Sequence, residues 1–192
     1  MLGTKTDFVS PYKVLGAAAA FFGSSISLDP ASSELANTVV EADKIFTPRE
    51  NGLFQDWKAK NIYLYPPRDF LDYEDQPKNR HLFKKTSKIK RSAQRVWLER
   101  AIDSYKKQDY TEGIVFLTST EVALIVTQKL NIDLPLCLLN ERPQLLVESP
   151  GLPKVQDGRC YGFVFYVPSP YNTEKRIYEF RDVFSSIGRV YI

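Results

Sequence analysis

The chain has 192 residues, of which 43% are hydrophobic and 13% aromatic, and its 26 Lys and Arg against 23 Asp and Glu give a net charge of +3. This length suits one domain, and the composition excludes a fully disordered or a fibrous chain. So small a net charge does not by itself attract a polyanion, and any such binding depends on where the positive residues cluster.

The first predicted helix runs from Pro11 to Phe22. Proline is well tolerated where a helix begins, and the residues that follow are mostly apolar. Lys5 and Lys13 beside that apolar run also imitate a secretory signal, but Pro11 and Gly16 interrupt the pattern and favour the helix. The apolar stretch is far shorter than the ~20 residues that cross a bilayer, so we expect no membrane association.

Strands and helices then alternate. A strand over Ser25–Leu28 is predicted to end at Asp29, a helix over Ala31–Val40 to begin at a cap on Ser32 or Ser33, and a strand over Asn61–Tyr65 to end at a double proline. The remaining predicted elements are a helix over 93–107, a strand over 113–117, a helix over 120–130, strands over 136–139 and 162–167, a helix over 173–187 and a short last strand. This alternation predicts one α/β domain over residues 1–192, with a mostly parallel sheet and helices on both faces.

Residues 68–92 carry no apolar periodicity and are predicted to form a loop or insert. From Lys78 to Arg91 positive residues accumulate with no acidic residue among them, and Arg95 follows. The candidate nucleic-acid contacts are Arg80, Lys84, Lys85, Lys88, Lys90, Arg91 and Arg95. Phosphate binding by such a segment is strongly salt-dependent, and the same pattern fits a solvated surface loop.

Few residues suit other chemistry. Cys137 and Cys160 have no CxxC spacing and are too few for a disulfide framework or a zinc site, so we interpret both as free thiols in a reducing, cytoplasmic compartment. His81 is the only histidine, and it has no partner in a recognisable catalytic triad. The sequence therefore gives no support to metal catalysis or to a metal cofactor.

Between residues 8 and 67, short motifs follow one another in a recognisable order. They are Phe8-Val9-Ser10-Pro11, the run from Ser27 to Ser33, then Asn37, Val40, Ala42-Asp43, Phe46-Thr47, Asn51-Gly52-Leu53, Trp57 and Pro66-Pro67. This series resembles the first half of the phage and prophage DNA adenine-N6 methyltransferases. The resemblance implies a Rossmann-like fold that binds S-adenosylmethionine and acts on nucleic acid, more readily on DNA than on RNA.

The resemblance also implies a set of cofactor-binding residues. Ser10 and Pro11 stand at the opening motif, and Asp29, Ala31 and Ser33 form the turn after the first strand, where a carboxylate and small residues let a nucleoside approach. Asp43 and Asp56 take the second-strand and third-strand roles, in which an acidic side chain accepts a hydrogen bond from a ribose hydroxyl or an adenine amino group.

The catalytic motif departs from the family. Where the family has Asn-Pro-Pro-Tyr, this chain has Tyr65-Pro66-Pro67-Arg68. In the family the carboxamide accepts the hydrogens of the adenine amine and the aromatic ring stacks on the flipped base. A phenol and a guanidinium stand in their places, so we predict that methyl transfer is changed or lost. The alternative is a non-catalytic nucleic-acid-binding or protein-interaction module on the same fold.

Overall fold

Five α-helices and ten strands are present in the computed structural model, which describes residues 8–72, 75–76, 90–129, 133–147, 154–168 and 173–192. The helices are α1 Tyr12–Phe22, α2 Glu34–Val40, α3 Ala93–Lys106, α4 Thr120–Leu124 and α5 Thr173–Phe184. The strands are β1 Phe8–Val9, β2 Ala59–Leu64, β3 Phe70–Leu71, β4 Arg91–Ser92, β5 Tyr110–Leu117, β6 Leu136–Leu139, β7 Gln144–Val147, β8 Lys154–Asp157, β9 Phe163–Val167 and β10 Gly188–Tyr191. A 3₁₀ turn covers Gly52–Phe54, and a π-helical turn over Ile125–Lys129 continues α4.

A central five-stranded sheet has the order β10-β6-β9-β5-β2. Strands β2 and β5 are parallel, whereas the β5–β9, β9–β6 and β6–β10 pairs are antiparallel. Two short extended segments continue the sheet beyond β2 through single parallel bridges, Leu28 with Ile62 and Asp29 with Ile45. We call residues 26–29 the first edge segment and residues 43–46 the second edge segment.

The prediction of a mostly parallel sheet is wrong for these five strands, because only one of their four pairings is parallel. Strand β9 enters antiparallel between β5 and β6, and β10 pairs antiparallel with β6 at the edge. Strand β9 is buried except for the partly exposed Phe163 and is a continuous apolar run in either direction, so its sequence carries no information on direction.

Helices cover both faces of the sheet, and this part of the prediction is confirmed. Helices α1 and α5 pack on one face, and α3 and α4 pack on the other. Side chains of β2 alternate between the two cores: Tyr63 faces α1, whereas Ile62 and Leu64 face α3. Tyr65, directly after the strand, faces α1 as well.

Most predicted elements are present, with shifted limits. Helix α1 has Pro11 at its N-cap, as predicted, and ends at Gly23 in the left-handed conformation that glycine tolerates. Helix α2 begins only after Ser33, whose hydroxyl caps it. The predicted strand over Ser25–Leu28 contributes a single bridge. The loop prediction for 68–92 misses β3 and β4, which pair with each other, and residues 73–74 and 77–89 lie outside the described ranges.

An ion-pair network ties two helices to the sheet. Arg176 of α5 donates to both carboxylate oxygens of Glu112 on β5, at 3.0 and 2.9 Å, and to the carbonyl oxygen of Phe21 at the end of α1, at 3.1 Å. Tyr166 of β9 donates a further hydrogen bond to Glu112. Because one guanidinium satisfies a buried carboxylate and a helix-terminal carbonyl, the network fixes how α1 and α5 sit on this face.

Across the parts of the chain that the structure describes, no helix combines the length and the apolar character that crossing a membrane requires.

Candidate functional site

The candidate site lies where the order of the parallel segments reverses. From the first edge segment the chain passes outward to the second edge segment, and then returns to β2 on the other side of the first. In open α/β sheets, ligands bind in the crevice outside the carboxyl ends of the strands at such a reversal. Here those ends carry Asp29 and Tyr65, so the structure brings the two predicted motifs to neighbouring positions.

Asp29 is a buried carboxylate, with only 3% of its surface exposed. Its backbone joins the second edge segment by accepting from the amide of Phe46 and donating to the carbonyl of Lys44. Its Oδ1 accepts a hydrogen bond of 3.1 Å from the amide of Ala31. Burial raises the pKa of Asp29 to about 6, although the Ala31 amide and the Ser32 hydroxyl each lower it. Among the described residues no lysine or arginine forms an ion pair with this carboxylate.

Two hydroxyl groups beside Asp29 are buried without a hydrogen bond of ordinary geometry to any described residue. They belong to Tyr63, which has no exposed surface, and to Ser32. Burial raises the pKa of Tyr63, the nearby Ser10 hydroxyl opposes that rise, and the charges of Asp29 and Tyr65 add to it. We call Ser10, Asp29, Ser32 and Tyr63 the Asp29 cluster.

The first and last residues of the Tyr65-Pro66-Pro67-Arg68 motif form an internal pair. The Tyr65 hydroxyl accepts hydrogen bonds from Nε of Arg68 at 3.3 Å and from Nη2 at 2.9 Å, and its ring packs against Phe116. Burial raises the pKa of Tyr65, and the Arg68 guanidinium opposes the rise. A phenol oxygen offers two lone pairs. Two donors from Arg68 occupy them, so in this conformation Tyr65 retains only its own O–H for a ligand.

Other predicted site residues surround the cluster. Pro66 is buried and Pro67 is exposed, so the motif leaves the sheet at the double proline. Ala31 holds Asp29 through its amide, while the Ser33 hydroxyl accepts from the amide of Ala36 at 3.0 Å and serves as a helix cap. Pro11 begins α1 directly after Ser10 and lines a pocket of about 50 Å³ on the first turn of that helix.

Asp43 and Asp56 are not brought together with Asp29. The Asp43 amide donates to the carbonyl of Ile26, and its exposed carboxylate accepts from the Ser25 hydroxyl at 2.9 Å, at the amino end of the edge segments. Asp56 is exposed and precedes the start of β2. Asp43 begins the second edge segment and Asp56 precedes β2, so both acidic residues lie toward the amino ends of these segments, away from the carboxyl end that carries Asp29.

Asn61 also lies at the amino end of the sheet, as predicted. Its Oδ1 accepts from the amide of Ser27 at 2.8 Å, and its Nδ2 donates to the carbonyl of Ser25 at 3.2 Å. This buried carboxamide joins β2 to the first edge segment. It therefore has a structural role, and it lies away from the Tyr65-Pro66-Pro67-Arg68 motif at the other end of the strand.

The basic segment is described only at its carboxyl end. Lys90 forms an ion pair with Asp72 at 3.1 Å, and Arg91 and Arg95 lie 3.8 and 2.9 Å from the buried carboxylate of Glu99. These three positive charges therefore each have an acidic neighbour in the protein. The other candidate nucleic-acid contacts, Arg80, Lys84, Lys85 and Lys88, lie outside the described residues.

Sequence reasoning missed three buried polar side chains near the strand ends. Tyr63 and Ser32 belong to the Asp29 cluster, and Gln94 at the start of α3 binds the end of β5 by accepting from the amides of Thr118 and Ser119. For Tyr63, the sequence signal was its spacing of two residues from Tyr65, which directs both phenols to the same face of the sheet. Within the described ranges, no group of three His, Cys, Asp or Glu side chains is placed to hold a metal ion.

No protein-family model, curated protein or solved structure matches the chain. The character of the site therefore rests on its geometry and on the motifs of the sequence.

Proposed function

We propose that the chain binds an adenosyl cofactor of the S-adenosylmethionine type at the Asp29 cluster, on a Rossmann-like methyltransferase fold. The observation that carries the proposal is a buried carboxylate without a cationic partner among the described residues, next to the Tyr63 hydroxyl, which is buried without a hydrogen bond of ordinary geometry, where the order of the parallel segments reverses. Such reversals are where nucleotide ligands bind in open α/β sheets.

The energetics of the cluster favour a ligand over a purely structural role. A buried polar group without a partner costs about 1–3 kcal/mol, and strongly perturbed acids concentrate at functional sites. The Asp29 carboxylate can accept hydrogen bonds from an amino group or a ribose hydroxyl, and the Tyr63 and Ser32 hydroxyls can donate or accept. A nucleoside joined to an amino acid carries both the amino groups and the ribose hydroxyls that these protein side chains can bind. When bound, S-adenosylmethionine supplies an electrophilic methyl group.

The directions of the strands are compatible with this fold. Strand β6 runs in the direction of β5, because both are antiparallel to β9. The two edge segments, β2, β5 and β6 therefore share one direction, although all three pairings that involve β9 and β10 are antiparallel. The carboxyl ends of these segments all lie at the same end of the sheet as Asp29, which supports a single ligand crevice along the strand ends.

The target that we propose is nucleic acid, with DNA favoured by the resemblance, but without efficient adenine-N6 methylation. The Tyr65 oxygen is occupied by Arg68 and cannot also accept the hydrogens of an adenine amine. The same pair favours the second candidate function, a module that binds nucleic acid or a protein and transfers no methyl group. Free thiols at Cys137 and Cys160 fit a cytoplasmic location for either.

Calorimetric titration with S-adenosylmethionine and S-adenosylhomocysteine tests the proposal. We expect micromolar affinity, about −8 kcal/mol, and a loss of about tenfold or more in Asp29→Asn, because a hydrogen bond to a charged group contributes about 1.5–3 kcal/mol. Asp43→Asn removes the same charge from the amino end of the sheet and is the matched control. This variant should bind both ligands with the affinity of the parent protein. Absence of binding by the parent protein would exclude a cofactor role.

A further inference from the structure

Strand β10 has a free edge in the part of the chain that the structure describes. It pairs with β6 on one side, and no described strand lies on its other side. Strand edges expose unpaired amide and carbonyl groups that pair readily with another chain, unless charged side chains, proline, a bulge or a very short strand protects them. The strand Gly188–Tyr191 is four residues long, contains neither lysine nor proline, and opposes β6 one to one without a bulge; its one charged residue is Arg189.

The hydrogen bonds that flank β10 identify which of its backbone groups point outward. Asn140 donates to the carbonyl of Ile187, and these two residues continue the register in which Arg189 opposes Leu138. In an antiparallel pair, hydrogen-bonded positions alternate along the strand. Arg189 and Tyr191 are therefore bonded to β6, as Ile187 is. The amide and carbonyl groups of Gly188, Val190 and residue 192 point to the free edge.

This outward pattern is complementary to itself. If a second β10 lies antiparallel with a two-fold axis through Val190, Val190 faces its own copy and Gly188 faces residue 192 of the other chain. Each of these facing positions carries outward amide and carbonyl groups, so each can exchange two hydrogen bonds. A shift of the register by one residue would set outward groups against inward ones, so the alternation excludes odd shifts. Among the registers that remain, the one centred on Val190 pairs all three outward positions.

The side chains fit the same alignment. Arg189 and Tyr191 are exposed on one face of the strand, and their guanidinium and ring are 5.4 Å apart within the chain. In the two-fold register each Arg189 lies directly opposite Tyr191 of the other copy, at a position where side chains are closest. A guanidinium beside a tyrosine ring is attractive, and both residue types are enriched at protein interfaces.

We propose that β10 forms a symmetric dimer interface, in which it pairs antiparallel with β10 of a second copy of this chain in a register centred on Val190. The central sheets of the two copies then form one continuous sheet. The Asp29 cluster lies at the far edge of each sheet, beyond β2, so both ligand sites stay clear of the interface. This inference is independent of the proposed cofactor.

Sedimentation velocity of the full chain over a wide concentration range tests the dimer. We expect a concentration-dependent species of twice the 22.0 kDa chain mass. Tyr191→Arg places like charges opposite each other and should weaken association about tenfold or more. Adding Arg189→Glu to Tyr191→Arg sets opposite charges face to face again and should restore the dimer. Tyr178→Arg makes the same change on the exposed face of α5 and should leave association unchanged.

Three results would each overturn the proposal. They are a parent protein that stays monomeric at every concentration, a dimer that Tyr191→Arg does not weaken, and a double variant that associates no better than Tyr191→Arg alone. Circular dichroism of each variant separates loss of association from loss of folding. The double variant is a second control, because a dimer restored in a chain that carries both substitutions shows that neither substitution prevents folding.

Discussion

Replacing Asp29 with asparagine tests whether the buried carboxylate is held at a cost in stability. Its pKa in the folded protein is about 6, against 3.8 in the absence of burial. A difference of about two pH units corresponds to about 3 kcal/mol. The folded state binds this proton more tightly than the unfolded state does, so the ionisation destabilises the protein as the pH rises from about 4 to about 6. Above that window the full cost is present.

The substituted carboxamide would keep an oxygen that accepts the Ala31 amide, but it carries no charge. We therefore expect Asp29→Asn to raise the free energy of unfolding at about pH 8 by up to about 3 kcal/mol, and to leave it nearly unchanged at about pH 4. Urea unfolding followed by the fluorescence of Trp57 and Trp97 at a series of pH values measures this difference. The exposed Asp43→Asn is the control and should change stability little at either pH.

Lower stability of Asp29→Asn at about pH 8 would refute this reasoning, because it would mean that the carboxylate is a net stabilising hydrogen-bond acceptor. A pH-independent gain would also count against it, since the effect must disappear where the parent carboxylate is protonated in both states. The expected result, combined with weaker cofactor binding by the same variant, would mark a group kept for function at the expense of stability.

Two further predictions concern the ion-pair network and the altered motif. Arg176→Met leaves the buried Glu112 carboxylate without its cation and should lower the free energy of unfolding by about 3 kcal/mol. The control is Arg181→Met at an exposed position, which should lower it by less than about 0.5 kcal/mol. Equal losses in the two variants would contradict the role of the network. Tyr65→Asn combined with Arg68→Tyr should create or raise methyl transfer to DNA, measured with labelled S-adenosylmethionine, whereas each single variant should restore little because both side chains of the motif differ. A silent double variant that binds cofactor as the parent does would show that these two side chains are not sufficient for methyl transfer.

The helices were the most predictable part of the fold. In α1, α3 and α5 the apolar residues recur at the helical period because each helix buries one face on the sheet, and that spacing is readable without the structure. The small sheet of β1, β7 and β8 was missed, since its short strands carry no comparable pattern. Strand direction could not be predicted, because hydrogen bonding between distant segments decides it. Buried parallel and antiparallel strands are both continuous apolar runs and have similar compositions.

The site was predictable where a residue followed a strand and unpredictable where burial decided its character. Asp29 and Tyr65 were found because each stands next to a proline at a strand end, which marks the edge where parallel segments present their carboxyl ends. Asp43 is also an acidic residue on an extended segment, but it stands at the start of that segment and therefore lies at the amino end of the sheet. An acidic residue near a strand therefore predicts a site only when the direction of the chain is included.

Tyr63 shows why the rest of the site required the structure. In the sequence it is one more aromatic residue in an apolar strand, and packing in the core is the ordinary expectation for it. The structure buries its hydroxyl near that of Ser10, without a hydrogen bond of ordinary geometry to a described residue, and beside a carboxylate whose own burial raises its pKa to about 6. Two buried polar groups that each cost stability, at the place where the parallel segments reverse their order, are more economically explained by a ligand that satisfies both than by two separate packing defects.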